Sequence, residues 1–103
     1  MPEDDGPVAP KVSVEFEVFG HVQGCYFTKY CKDQCDRLGI YGWVKNTRSG
    51  TIVGKLQGDR DKVDEISMWL SKQGSPGCRI DLCELRNWEL IVKPDFRNFS
   101  IRF

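Results

Sequence analysis

The stretch VSVEFEVFGHVQGCYFTKYCKDQCDRLG, residues 12–39, changes its hydrophobic period part-way along. From Val12 to Phe19 apolar and polar residues alternate, with Val12, Val14, Phe16 and Val18 on one face and Ser13, Glu15 and Glu17 on the other. A period of two is that of a β-strand with one dry and one wet face, and such strands belong to mainly antiparallel sheets. Further on, Phe27, Tyr30, Cys31, Gln34, Cys35 and Leu38 recur at steps of three and four, which marks an amphipathic helix, and Gly39 ends it. Between the two lies a loop with Gly20 and Gly24 and no acidic residue. A strand that turns through glycines straight into a helix aims free N–H groups and the positive helix end at one spot, a cradle for an anion. Many such turns bind nothing, so the loop alone is a weak signal.

Working outward, YGWVKNT (41–47) and TIVGKLQG (51–58) are short strands rich in β-branched and aromatic residues. Arg48, Ser49 and Gly50 separate them, which predicts a hairpin with Gly50 in a left-handed conformation. Val63, Ile66, Trp69 and Leu70 form a second helical stripe, capped by Asp59 or Asp61 and stopped by Gly74. Ile80, Leu82 and Leu85 predict a fourth strand after the GSPG loop, and NFSIRF (98–103) a fifth. Strand, helix, strand, strand, helix, strand and a closing strand give an α+β, ferredoxin-like (split βαβ) sandwich. Both helices are expected on one face of a five-stranded, mainly antiparallel sheet.

The 103 residues are expected to divide into a disordered acidic tail, 1–10, and one folded domain, 11–103. Fifteen basic residues balance fifteen acidic ones, so no net field draws nucleic acid or an anionic membrane, and an anion site has to be made locally. An RNA-recognition sheet needs stacking aromatics on its third strand, and TIVGKLQG has none. The acidic start and the lack of a long apolar run predict a cytoplasmic protein. The five cysteines, Cys25, Cys31, Cys35, Cys78 and Cys83, are then expected to be reduced. Cys31 and Cys35 fall on the buried helical stripe as core thiols, and no metal is expected, because the close pair spacing of zinc ribbons is missing.

FGHVQGCYFTKY (19–30) and LGIYGWVKNTRSGTIVGKLQG (38–58) closely resemble the two signature segments of the acylphosphatase family. WLSKQGSPGCRI (69–80) resembles the family's second helix and following loop, and NFSIRF its last strand. The resemblance implies a small cytosolic enzyme that hydrolyses the carboxyl–phosphate bond of acyl phosphates without metal, cofactor or covalent intermediate. It further implies phosphate binding by the loop Gly20, His21, Val22, Gln23, Gly24 and Cys25, and placement of the attacking water by Asn46. Expected partners are an acyl phosphate or inorganic phosphate, with no nucleic acid and no membrane, and the protein is expected to be a monomer.

At Thr28 the chain departs from the pattern, for the family carries a phosphate-holding arginine there. A guanidinium brings a permanent charge and paired donors, whereas a threonine hydroxyl brings one neutral donor on a shorter stem. Impaired turnover is therefore expected; the alternative is a weak or inactive homologue that acts as a binding or regulatory protein. Lys32, one turn along the helix, is a candidate compensating cation, set against the plainer reading of a solvated lysine. Cys25, at the helix start, is either a reactive thiol or, more simply, filler for a small apolar position.

Overall fold

The computed structural model describes residues 10–103. Residues 1–9 of the expected acidic tail lie outside the described residues. Pro10 is described, and its carbonyl accepts a hydrogen bond from the Arg60 N–H at 2.9 Å. The elements follow the order read from the sequence: β1 (Lys11–His21), α1 (Phe27–Leu38), β2 (Tyr41–Asn46), β3 (Ile52–Asp59), α2 (Arg60–Lys72), β4 (Arg79–Ile91) and β5 (Phe99–Arg102).

The strands lie in the order β4-β1-β3-β2-β5, with all pairs antiparallel except β2 and β5. The alternating strand is thus the one bracketed by β3 and β4. Its apolar face, Val12, Val14, Phe16 and Val18, is buried against the helical stripes Phe27, Cys31, Cys35 and Val63, Ile66, Leu70. Each large aliphatic or aromatic side chain so enclosed contributes roughly 1.5–3 kcal/mol of hydrophobic stabilisation. Helix α1 stops at Gly39 in the left-handed conformation, and α2 begins after Asp59, whose carboxylate binds Lys11 at 2.8 Å and makes no cap hydrogen bond. Among the described residues no helix is long and apolar enough to cross a membrane.

Strand β4 is much longer than the Ile80–Leu85 segment that the sequence marks. It runs along the sheet edge with most side chains exposed, so its residues carry little alternation. Pairing with β1 along its length defines it, with an irregularity near Asn87, whose φ is +58°. A buried amide without a sequence signal secures the connection to β5. Gln57 donates to Ser13 Oγ and Asp95 Oδ2, at 3.1 and 3.0 Å, and accepts from the Asp95 N–H at 2.7 Å.

The expectation of five reduced thiols is corrected at two positions. Cys25 and Cys78 form a disulfide, with Cα atoms 6.0 Å apart, while Cys31, Cys35 and Cys83 are free. The pair is 53 residues apart in the chain and meets because the loop after α2 packs on the start of α1, where Ser75 Oγ donates to the Cys25 carbonyl at 3.0 Å. Cys25 is therefore neither a reactive thiol nor simple filler in this form. Cys31 and Cys35 are core thiols as expected, and desolvation pushes the Cys35 pKa far above the ordinary thiol range.

By the chain-entropy argument, a cross-link over this separation constrains the unfolded state by up to about 4 kcal/mol. Urea unfolding of the Cys25→Ala/Cys78→Ala variant should show stability lower by about 2–4 kcal/mol, and thiol titration of denatured wild type should find the three free cysteines. Equal stability, or five titratable thiols in protein purified without reductant, would contradict the cross-link.

Candidate active site

The loop between β1 and α1 and the turn between β2 and β3 meet at one end of the sheet, and Gln23 joins them. Its amide Nε2 donates to the carbonyls of both Thr47 and Thr51, each at 2.8 Å. The Gln23 side chain is thereby used as a clasp, and what it offers a ligand is its backbone. Thr47 and Thr51 close the turn, with the Thr47 N–H on the Thr51 carbonyl at 2.9 Å. The hydroxyls form a relay in which the Thr51 N–H donates to Thr47 Oγ1 (3.0 Å) and the two Oγ1 atoms lie 2.7 Å apart. Thr51 Oγ1 then donates to Glu17 Oε2 at 2.7 Å. An ionised carboxylate only accepts, so Glu17 sets the direction of every proton in this relay. The Thr51 hydrogen bond, followed by the Arg86 guanidinium at 3.0 Å, holds the Glu17 carboxyl below its ordinary pKa.

Gly20 and Gly24 have φ of +137° and +83°, values that L side chains rarely adopt. A Cβ at Gly20 would also run into the Arg79 carbonyl oxygen on β4. The loop passes into α1 through Tyr26, the N-cap residue, itself left-handed at φ 60°, ψ 27°. For a non-glycine residue that conformation costs about 1–2 kcal/mol. Tyr26 makes no side-chain cap hydrogen bond, and the first turn of α1 has no acidic residue. The first intrahelical acceptor, the Tyr26 carbonyl, is taken by Tyr30 N–H at 3.0 Å, which leaves the preceding helix-start N–H groups without an intrahelical partner. Those donors and the uncompensated helix dipole favour an anion here.

A cavity of about 360 Å³ opens at this place, walled by Val22, Gly24, Tyr26, Phe27, Thr28 and Asn46. The fold thus brings the glycine loop, position 28 and Asn46 together around one space. Val22 and Phe27 form its buried backing, Thr28 is half-buried, and Asn46 is exposed at the end of β2. No residue of this wall carries a charged side chain.

Other sequence candidates lie elsewhere. Lys32 points along α1 to Asp36 Oδ2, 2.6 Å away, and does not join the cavity wall. His21 is exposed at the end of β1. Cys25 contributes its backbone to the loop while its sulfur is bonded to Cys78. Sequence reasoning missed the clasp and relay formed by Gln23, Thr47, Thr51 and Glu17. The one available signal was a threonine at each end of the predicted hairpin turn.

Residues 14–101 match the family model described as Acylphosphatase. Acylphosphatase-2 of Homo sapiens is 50% identical over 91 residues, covering 88% of this chain and 92% of that one. An acylphosphatase structure from Coxiella burnetii superimposes with a TM-score of 0.78 at 30% identity, over 90% of this chain and 94% of that one. The acylphosphatase of Bacillus subtilis shares the fold, with a TM-score of 0.82 at 23% identity over 89% of this chain and 99% of the other.

Glu17 gives the relay a pH signature. Its folded-state pKa is lowered from 4.5, so its contribution to stability is present above the unfolded value and is lost as pH falls through the folded value. Stability measured from about pH 6 down to about pH 3 should therefore fall less steeply in Thr51→Val than in wild type. Parallel profiles would show that the relay does not hold the carboxylate.

Proposed function

This chain belongs to the acylphosphatase family, and we propose that it hydrolyses acyl phosphates to a carboxylate and phosphate. The observation that carries the reading is the single cavity shared by the glycine loop, the α1 N-terminus and Asn46. The phosphoryl group sits in the cradle, its oxygens accepting from loop and helix-start N–H groups of residues 20–25 and beyond. The Asn46 side-chain amide hydrogen-bonds the attacking water from the β2 side. Water oxygen bonds to phosphorus, the bond from phosphorus to the acyl oxygen breaks, and the electron pair leaves with the carboxylate. Both water protons remain with the phosphate product until it equilibrates with solvent. A carboxylate with a pKa of about 4 is a stable leaving group at neutral pH, so the reaction needs no general acid. What the reaction asks of the protein is position and charge.

Position is supplied, and charge is supplied only in part. Backbone dipoles converge on the site, but the cavity wall has a neutral hydroxyl, Thr28, where the family resemblance implies a guanidinium. Cationic clamps are worth about 10³–10⁵ in rate in other phosphoryl-transfer enzymes. Turnover is accordingly slower than the fold permits. The proposal includes a monomer acting on a small molecule.

Hydrolysis of acetyl phosphate by wild type, Thr28→Arg and Asn46→Ala tests the reading. Thr28→Arg should raise kcat/KM by about 10- to 1000-fold, a share of what such a clamp provides elsewhere. Asn46→Ala should lower kcat by about 100-fold through loss of water positioning. Absence of hydrolysis in both wild type and Thr28→Arg would overturn the assignment; wild-type turnover that Thr28→Arg does not improve would overturn the account of the missing charge.

A further inference from the structure

Tyr26 is unexplained by folding. It occupies a left-handed backbone position that glycine or asparagine fills at less cost, and a helix N-cap that small polar residues prefer. It makes no cap hydrogen bond, and its side chain gains little from burial, being 74% exposed. A bulky residue held in an unfavourable conformation without a structural return points to a role in function. Tyr26 belongs to the wall of the cavity that also holds Thr28 and Asn46.

We propose that Tyr26 is a specificity-determining residue that selects acyl phosphates with an aromatic acyl group. The inference rests on the acyl phosphate reading above. With the phosphoryl group at the loop and helix-start N–H groups, the acyl part occupies the remaining space, whose wall includes exposed Tyr26 together with buried Val22 and Phe27. That wall holds no charged side chain to receive an anionic acyl substituent. A flat, uncharged ring is the group such a surface rewards, because offset or edge-to-face ring pairs are favourable beyond their buried area. The missing charge at position 28 strengthens the case, since a site with a weaker grip on phosphate depends more on what the acyl end contributes. Tyr30, one helical turn on and 41% exposed, is not part of the cavity wall and provides an internal control.

The experiment compares kcat/KM for benzoyl phosphate and acetyl phosphate. Tyr26→Asn removes the ring but tolerates the left-handed backbone, and should lower the benzoyl-to-acetyl ratio by about 3- to 10-fold relative to wild type. Tyr26→Phe should keep the ratio and Tyr30→Ala should not move it. A ratio unchanged in Tyr26→Asn overturns the proposal, as does an equal fall in Tyr30→Ala. Calorimetric titration with benzylphosphonate and methylphosphonate separates this outcome from failure of the hydrolytic reading. If neither acyl phosphate is hydrolysed by wild type or by Thr28→Arg, the hydrolytic reading falls. Tighter binding of benzylphosphonate, abolished by Tyr26→Asn, then still supports ring selection, and equal affinities or no binding of either overturn it.

Discussion

The hydrogen bonds from the Gln23 amide to the Thr47 and Thr51 carbonyls fix the spacing of two segments that the pairing of β1 with β3 brings to one end of the sheet. On one side of this clasp stand the glycine loop and the start of α1; on the other stands Asn46, the residue before Thr47. The cavity exists because the clasp holds these sides apart at one distance, and the Thr47–Thr51–Glu17 relay holds the carbonyls that receive it. The disulfide from Cys25 to Cys78 and the Ser75 hydrogen bond anchor the far end of the same loop to the segment after α2. A loop tied at both ends is held in one shape before any ligand arrives, which is the condition for electrostatic stabilisation without reorganisation.

The electrostatics of the site are those of dipoles rather than ions. The cavity wall holds no charged side chain, and of the charged groups on the flanking elements Glu17 binds Arg86, Lys32 binds Asp36 and Lys45 lies beside Trp43. Backbone amides and a helix start stabilise an anion, but by less than a guanidinium at hydrogen-bonding distance in a partly enclosed site. In the proposed function, Thr28 therefore separates binding from turnover: the backbone cradle would position a phosphoryl group, and a neutral hydroxyl stands where a guanidinium would neutralise it best.

Much of this was legible in the residues. The period of two in Val12–Phe19, the period near 3.6 in Phe27–Leu38 and the glycines between them placed β1, the loop and α1 correctly, because those elements bury one face against one core. Most of β4 was hidden, since an edge strand with exposed side chains is defined by backbone pairing, which leaves no pattern in side-chain type. The Cys25–Cys78 bond was misread because an odd cysteine count speaks to redox setting, while the bond depends on a contact that only the tertiary fold creates. Gln57 with Asp95 and Gln23 with the hairpin turn escaped for the same reason: a polar residue's partner 38 or 24 positions away has no local signature. Within the site, the cluster of Gly24, Thr28 and Asn46 was foreseen through family resemblance, whereas the Lys32 suggestion met a nearer carboxylate at Asp36.

The central claim is that the backbone of the β1–α1 loop, with Asn46 opposite, is a formed phosphate site despite the neutral residue at position 28. Titration of isotope-labelled protein with inorganic phosphate, followed by amide NMR, tests it directly. The account predicts saturable shifts concentrated in the backbone amides of residues 22–28 and the Asn46 side-chain amide. Shifts confined to basic surface residues such as Lys45 and Arg102, or none that saturate, would contradict it.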